Sequence, residues 1–186
     1  MTKVFIGGSR RLSTLNPLVR TELNGIIHKR YMILVGDANG ADKSVQRYLT
    51  DKHYNNVMVF CMANGCRNNL GQWETRRVEV SANTKGIDFY SAKDLEMVKE
   101  ADYGFMLWDG KSRGTFLNIV RLLERDKKTL VYVSPKRTFL TLTTPADVEG
   151  LLAKCDEEQL DLFGNRTGMS QTPKKRTTQH ELNLTR

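Results

Sequence analysis

Short apolar runs and longer amphipathic stretches alternate along this chain. Lys3–Ile6 predicts a first strand. Asn16-Pro17 opens a helix, with Asn as N-cap and Pro at the first helical position. Its apolar residues Leu18, Leu23, Ile26 and Ile27 fall near one face. Tyr31–Val35 is an unbroken apolar run, as in a parallel strand covered on both sides. Gly40–Thr50 reads as a second helix and Asn56–Phe60 as a third strand. Residues 62–74 are polar and rich in Gly and Asn, which predicts an ordered loop. A helix is expected over Thr75–Ala82 and a short strand or extended piece over Gly86–Tyr90. A capping-box variant at Ser91–Asp94 opens a helix to Ala101. Tyr103–Trp108 is a strand, Gly114–Arg125 a helix and Thr129–Val133 a strand. Thr144-Pro145 starts a last helix to about Cys155. No internal repeat is evident.

This alternation predicts an α/β fold: a Rossmann-like open parallel sheet flanked by helices, with right-handed crossovers. In such sheets ligands bind outside the carboxyl ends of the strands. Three loops of unusual composition fall there. In the first, Gly7 and Gly8 let backbone approach a ligand, Ser9 offers a hydroxyl, and Arg10 can fork onto a phosphate or carboxylate. In the second, Gly36 and Gly40 flank Asp37, Ala38 and Asn39, while Asp42 and Lys43 lie in the first turn of the next helix. Free N–H groups and the helix dipole suit that end to an anion. Asp37 or Asp42 could accept from ribose hydroxyls, or Asp42 could simply complement the dipole. The third loop turns at Asp109-Gly110 and crowds Lys111, Ser112, Arg113 and Thr115 around Gly114. Thr115 is a phosphate donor or a plain N-cap. Asn118 lies one turn on, while Phe116, Ile119, Val120 and Leu123 read as core. Neither the Walker spacing nor G-x-G-x-x-G is present. In the middle loop, Arg67, Asn68 and Asn69 offer hydrogen bonds to a base. Trp73 offers a stacking face, or closes the core.

Composition narrows the picture. The 186 residues fit one globular domain plus a tail. No run of about 18 apolar residues exists to span a membrane. The opening MTKVFIGGSRR is too short and too soon glycine-rich for a signal peptide, so a cytoplasmic location is expected. Cys61, Cys66 and Cys155 are odd in number, which argues against a disulfide framework, and zinc ligand sets are absent. Buried or incidental thiols are expected, with no metal site and no cofactor. The net charge is +8, and residues 165–186 hold five Lys/Arg against one Glu. This balance favours polyanions such as nucleic acid, or serves solubility alone.

The pieces IGGSRR at 6–11, VGDANGAD at 35–42, MVKEAD at 97–102 and WDGKSRGTFLNI at 108–119 resemble the SLOG superfamily, in its YspA/YpsA-like branch. This Rossmann-like group includes the cytokinin-activating phosphoribohydrolases and the DNA-processing recombination mediators. The resemblance spans about residues 3–133 and implies a pocket for a nucleotide or nucleotide derivative. Ser9, Arg10 and the 36–43 and 110–115 loops would line it. The enzymatic members carry a glutamate at the sugar, on the helix after a Gly-Thr pair. Here Asn118 stands near that place, and an amide is neither general base nor carboxylate nucleophile. Asp37, Asp42 or Asp109 could substitute for it in cleaving an N-glycosidic bond, but nothing in the sequence assigns that role to any of them, so binding is favoured over turnover. The alternatives are a nucleotide or nucleoside N-glycosidase or deoxyribosyltransferase, and a DNA-binding accessory protein.

Finally, Gln159-Leu160-Asp161-Leu162-Phe163 resembles the bacterial sliding-clamp-binding pentapeptide. Leu162 and Phe163 would fill an apolar pocket, Gln159 would hydrogen-bond a second subsite, and Leu160 would pack between them. Packing back on the domain is the alternative, since exposed Leu and Phe are unusual in a polar tail without a partner. The basic tail beside the peptide could touch DNA threading the clamp. The expected organisation is a nucleotide-binding domain over 1–143 and a helix with flexible basic tail over 144–186. Related folds often dimerise, so a homo-oligomer is possible. The peptide implies replication or repair in a bacterium or its phage.

Overall fold

In the computed structural model the chain is described over residues 1–80 and 86–152, with residues 86–90 as backbone alone. Seven strands form one sheet in the order β4-β3-β2-β1-β5-β6-β7. They are β1 Lys3–Gly8, β2 Met32–Gly36, β3 Val57–Met62, β4 Glu74–Val78, β5 Tyr103–Trp108, β6 Thr129–Val133 and β7 Thr138–Leu142. All neighbours pair in parallel except β6 and β7. The helices are α1 Pro17–His28, α2 Ala41–Asp51, α3 Gly86–Glu100, α4 Arg113–Leu123 and α5 Asp147–Leu152.

The period of two along the strands feeds two cores. Val4 and Ile6 of β1 pack with Val19, Leu23 and Ile26 of α1 and Val45 and Leu49 of α2. Phe5, between them, faces Met97 of α3, Phe116 and Ile119 of α4, and Leu151 of α5. Asn16 caps α1 as expected, its Oδ1 accepting from Val19 N at 3.0 Å. The buried stripe runs through Val19 rather than Leu18, which is exposed. Among the described residues no helix is long and apolar enough to cross a membrane.

Four local expectations are corrected. The segment expected to be helix over Thr75–Ala82 begins instead inside β4, an edge strand on β3 with its first four residues exposed. Paired on one side only, such a strand carries charged side chains that suit its open edge. Gly86–Tyr90 is the first part of α3, not a strand, so Ser91–Asp94 lies inside that helix and caps nothing. β7 has no counterpart among the expected elements: a short 3₁₀ turn at Ser134–Lys136 and Arg137 at φ 48° fold Thr138–Leu142 back on β6. The last helix runs over Asp147–Leu152, and its expected continuation toward Cys155 lies outside the described residues. So do the peptide at 159–163 and the basic tail.

The cysteine reading is also corrected. Cys61, at the end of β3, and Cys66 form a disulfide across a tight turn, with Cα atoms 5.0 Å apart. Five residues of separation close a short loop. Cys66→Ser is therefore expected to cost about 2 kcal/mol in non-reducing urea melts and nothing after dithiothreitol treatment. Equal midpoints in both conditions would refute the pairing.

Candidate functional site

The strand order reverses between β1 and β5. That is the switch point at which the carboxyl ends of a doubly wound sheet leave a crevice. A cleft of about 910 Å³ opens there. All three glycine-bearing loops reach it, and they are tied together through one residue. Ser9 N donates to Leu107 O of β5 at 2.9 Å, while Ser9 O accepts from Leu12 N and from Ala41 N of α2. The Gly7-Gly8 pair belongs to β1 rather than to a turn. A Cβ on Gly8 would strike Leu107 O and lie 2.8 Å from Ala41 Cβ, so glycine lets β1, β5 and α2 converge. Gly40, at φ 85°, has its own reason: a side chain there would strike the backbone of Arg10.

Of the expected site residues, Gly8, Ser9, Arg10, Ala38 and Asp42 line the cleft from the first two loops. Lys111, Ser112, Gly114, Thr115 and Asn118 line it from the third, with Asp109. Gly36, Asp37, Gly40, Lys43 and Gly110 stand outside this lining. Ser112, not Thr115, caps α4: Ser112 Oγ accepts from Thr115 N at 3.4 Å and from Thr115 Oγ1 at 2.9 Å. A Cβ on Gly114 would meet nothing, so the start of α4 is open toward the cleft.

The aspartates separate by their partners. Asp37 is buried and engaged: Arg67 reaches it through Nη2 at 2.6 Å, Nε at 3.1 Å and its backbone N at 3.0 Å. Burial pushes that carboxyl up, but the Arg67 bonds and the Lys93 charge outweigh it and hold it below its usual range. Asp109 Oδ1 accepts from Ser112 N at 2.7 Å and Lys111 N at 3.0 Å, which shapes the third loop. Burial raises it too, while the nearby Ser9 hydroxyl and these backbone bonds bring it below the ordinary value. Asp42 differs. Its Oδ2 accepts from Ala38 N at 3.1 Å, and burial lifts its carboxyl to about 6 against the attraction of Lys93.

Three site residues carry no signal in the loop motifs: Lys93, Asp94 and Gln46. Lys93 of α3 is 4% exposed and lines the cleft. Burial pulls its ammonium down, but Asp94 and Asp42 outweigh that and hold it above the usual lysine value. Lys93 Nζ donates to Asp94 Oδ1 at 2.8 Å, and Asn118 Nδ2 donates to Asp94 Oδ2 at 3.0 Å. Gly36 leaves room for this group, since a Cβ there would strike the Asp42 carboxylate and lie 2.7 Å from Lys93 Nζ. Gln46 of α2 is fully buried. Its side chain binds Gly36 O at 2.8 Å, Asn68 O at 3.2 Å and Leu70 N at 3.0 Å, and so holds the middle loop against the second.

The middle loop divides. Arg67 lines the cleft. Asn68 donates to Asp37 O at 2.7 Å, and Asn69 binds the backbone of Trp73. Trp73 closes the core: it is 9% exposed, and its Nε1 donates to Tyr54 O at 2.8 Å. It offers no stacking face to the cleft.

Ser9 Oγ is fully buried in the cleft floor and has no partner at hydrogen-bond geometry, although Asp109 lies near enough to feel it. Backbone convergence, an open helix start and an unsatisfied hydroxyl meet at one place. Among the described residues no cluster of three His, Cys, Asp or Glu is placed to hold a metal ion.

No protein-family model matches the chain, and no curated protein matches it. Among solved structures it is similar to DNA processing protein A from Helicobacter pylori, a structure described for its single-stranded DNA binding mode. The identity is 15%, over 88% of this chain and 79% of that one, with a TM-score of 0.55. The likeness is one of fold: a mostly parallel, Rossmann-like α/β sheet.

Proposed function

We propose that the cleft binds a nucleotide or nucleotide-derived ligand, with its phosphate over Ser9 and the start of α4. The observation that carries this reading is the buried, unpartnered Ser9 hydroxyl. A buried donor without an acceptor costs stability, and a bound phosphate oxygen removes that cost. The helix start adds N–H groups of the right polarity. Ser9→Ala separates ligand binding from folding. It is expected to change stability by no more than about 1 kcal/mol, since relief of the buried hydroxyl and loss of its effect on Asp109 oppose each other, while weakening mononucleotide binding about tenfold by calorimetry. Unchanged affinity, or no binding of any mononucleotide by the natural chain, would overturn the reading.

Binding is favoured over N-glycosidic turnover because two of the candidate acids are engaged. Asp37 holds Arg67 and Asp109 holds its own loop, and Asn118 offers an amide. Release of free base from mononucleotides would reverse that preference. A DNA-related role is the second reading, favoured by the +8 charge and by the single-stranded DNA named for the structural neighbour. Strand binding that falls steeply with salt, and is lost on removing residues 164–186, is its expected signature.

The pentapeptide at 159–163 supplies a docking element in the same proposal. Leu162→Ala with Phe163→Ala is expected to abolish co-elution with a bacterial sliding clamp while the Tm stays unchanged. Retained co-elution would remove the clamp from the proposal.

A further inference from the structure

We propose that Asp94 reads the sugar of the bound ligand and selects ribose over 2′-deoxyribose; this rests on the nucleotide reading above. Each carboxylate oxygen has two acceptor sites. Lys93 Nζ occupies one on Oδ1, and Asn118 Nδ2 occupies one on Oδ2. The group is thus pinned from both sides and keeps an open acceptor site on each oxygen. Its side chain is 21% exposed, and the residue lines the cleft. Two fixed acceptors side by side match two adjacent hydroxyl donors, the arrangement of a vicinal diol. They repel a phosphate.

Position along α4 identifies which part of the ligand meets them. Asn118 lies three residues beyond Thr115, about 5 Å along the helix axis from the phosphate-compatible start. That is the reach of a sugar attached to the phosphate; the base lies beyond it. Asn118 itself presents an amide, and its Oδ1 lies 3.5 Å from Arg121 Nη1, which orients Nδ2 toward Asp94. It is a positioning residue, holding the Asp94 carboxylate of α3 at the cleft. Lys93 beneath the pair offsets the negative charge that would otherwise oppose an anionic ligand.

The test titrates AMP, GMP, CMP and UMP, and their 2′-deoxy counterparts, into the full chain by isothermal calorimetry. The ribonucleotide that binds best is expected to lose about 10- to 100-fold in affinity with its 2′-hydroxyl. Asp94→Asn should narrow that gap, since its amide keeps only one acceptor oxygen for the two hydroxyls. Asn118→Ala should narrow it, a ratio that a purely structural role would not move. Equal affinities for the two sugars in the natural chain would overturn this inference and leave the nucleotide reading standing. A preference for guanine indifferent to the sugar would do the same, since it would put the base edge on Asp94. Binding of none of the eight would remove both.

Discussion

Lys93→Met is expected to lower the stability of the chain by about 3–5 kcal/mol at pH 8, the cost of leaving a buried charge uncompensated. Lys93 is the one buried Lys or Arg among the described residues. It faces Asp42 and Asp94, and Met keeps most of its volume, so packing changes little. The two acids do not suffer equally. Asp94 reaches the cleft surface and keeps Asn118, so it can recover hydration. Asp42 is 7% exposed and its carboxylate keeps the Ala38 N–H, so most of the penalty falls there. The loss should shrink at pH 5, where Asp42, already lifted to about 6, takes up a proton and ceases to be a charge. Urea melts at the two pH values measure both effects. A loss under about 1 kcal/mol at pH 8 would mean that water reaches the group and that the cleft is wetter than its burial implies.

Where hydrophobic pattern dominates, the sequence was legible. β5 and β6 fall on the expected residues, and the α1 cap and the convergence of three loops follow from apolar runs ending in glycine. What pattern cannot weigh is pairing with a neighbour. β4 is polar and becomes a strand because β3 offers an open edge. β7 follows from a turn built on a left-handed Arg137. The disulfide depended on a five-residue turn that brings two cysteines of an odd set together. The site was half legible. Its glycine turns stood out, but Lys93 and Asp94 hid behind an apparent capping box. One signal was available: Lys93, Met97 and Ala101 recur at four-residue spacing, and all three are buried. A lysine on the buried stripe of a helix needs partners.

Asp42→Asn should change how stability depends on pH rather than merely shift it. The folded carboxyl sits at about 6, above its ordinary 3.8, because burial outweighs Lys93. Between those values the folded chain holds a proton that the unfolded chain has released. Stability from this group is therefore complete below about pH 4 and falls as pH rises through 6. A shift of this size corresponds to about 3 kcal/mol. The amide of the variant has no proton to lose. The natural chain should thus lose about 3 kcal/mol relative to the variant between pH 3 and pH 7, read from paired urea melts at each pH. Lys93 and Asp94 of α3 and Asp37 of the preceding loop face the same carboxyl and are present in both chains, so the comparison isolates residue 42. Parallel curves would show that Lys93 keeps Asp42 ionised throughout. On the proposed nucleotide reading, the same group would link the fold to the ligand. A phosphate in the cleft that Asp42 lines would add negative charge near it and raise it further. Nucleotide binding at pH 7 should then draw in a proton at this group, detected as a buffer-dependent binding enthalpy that Asp42→Asn reduces.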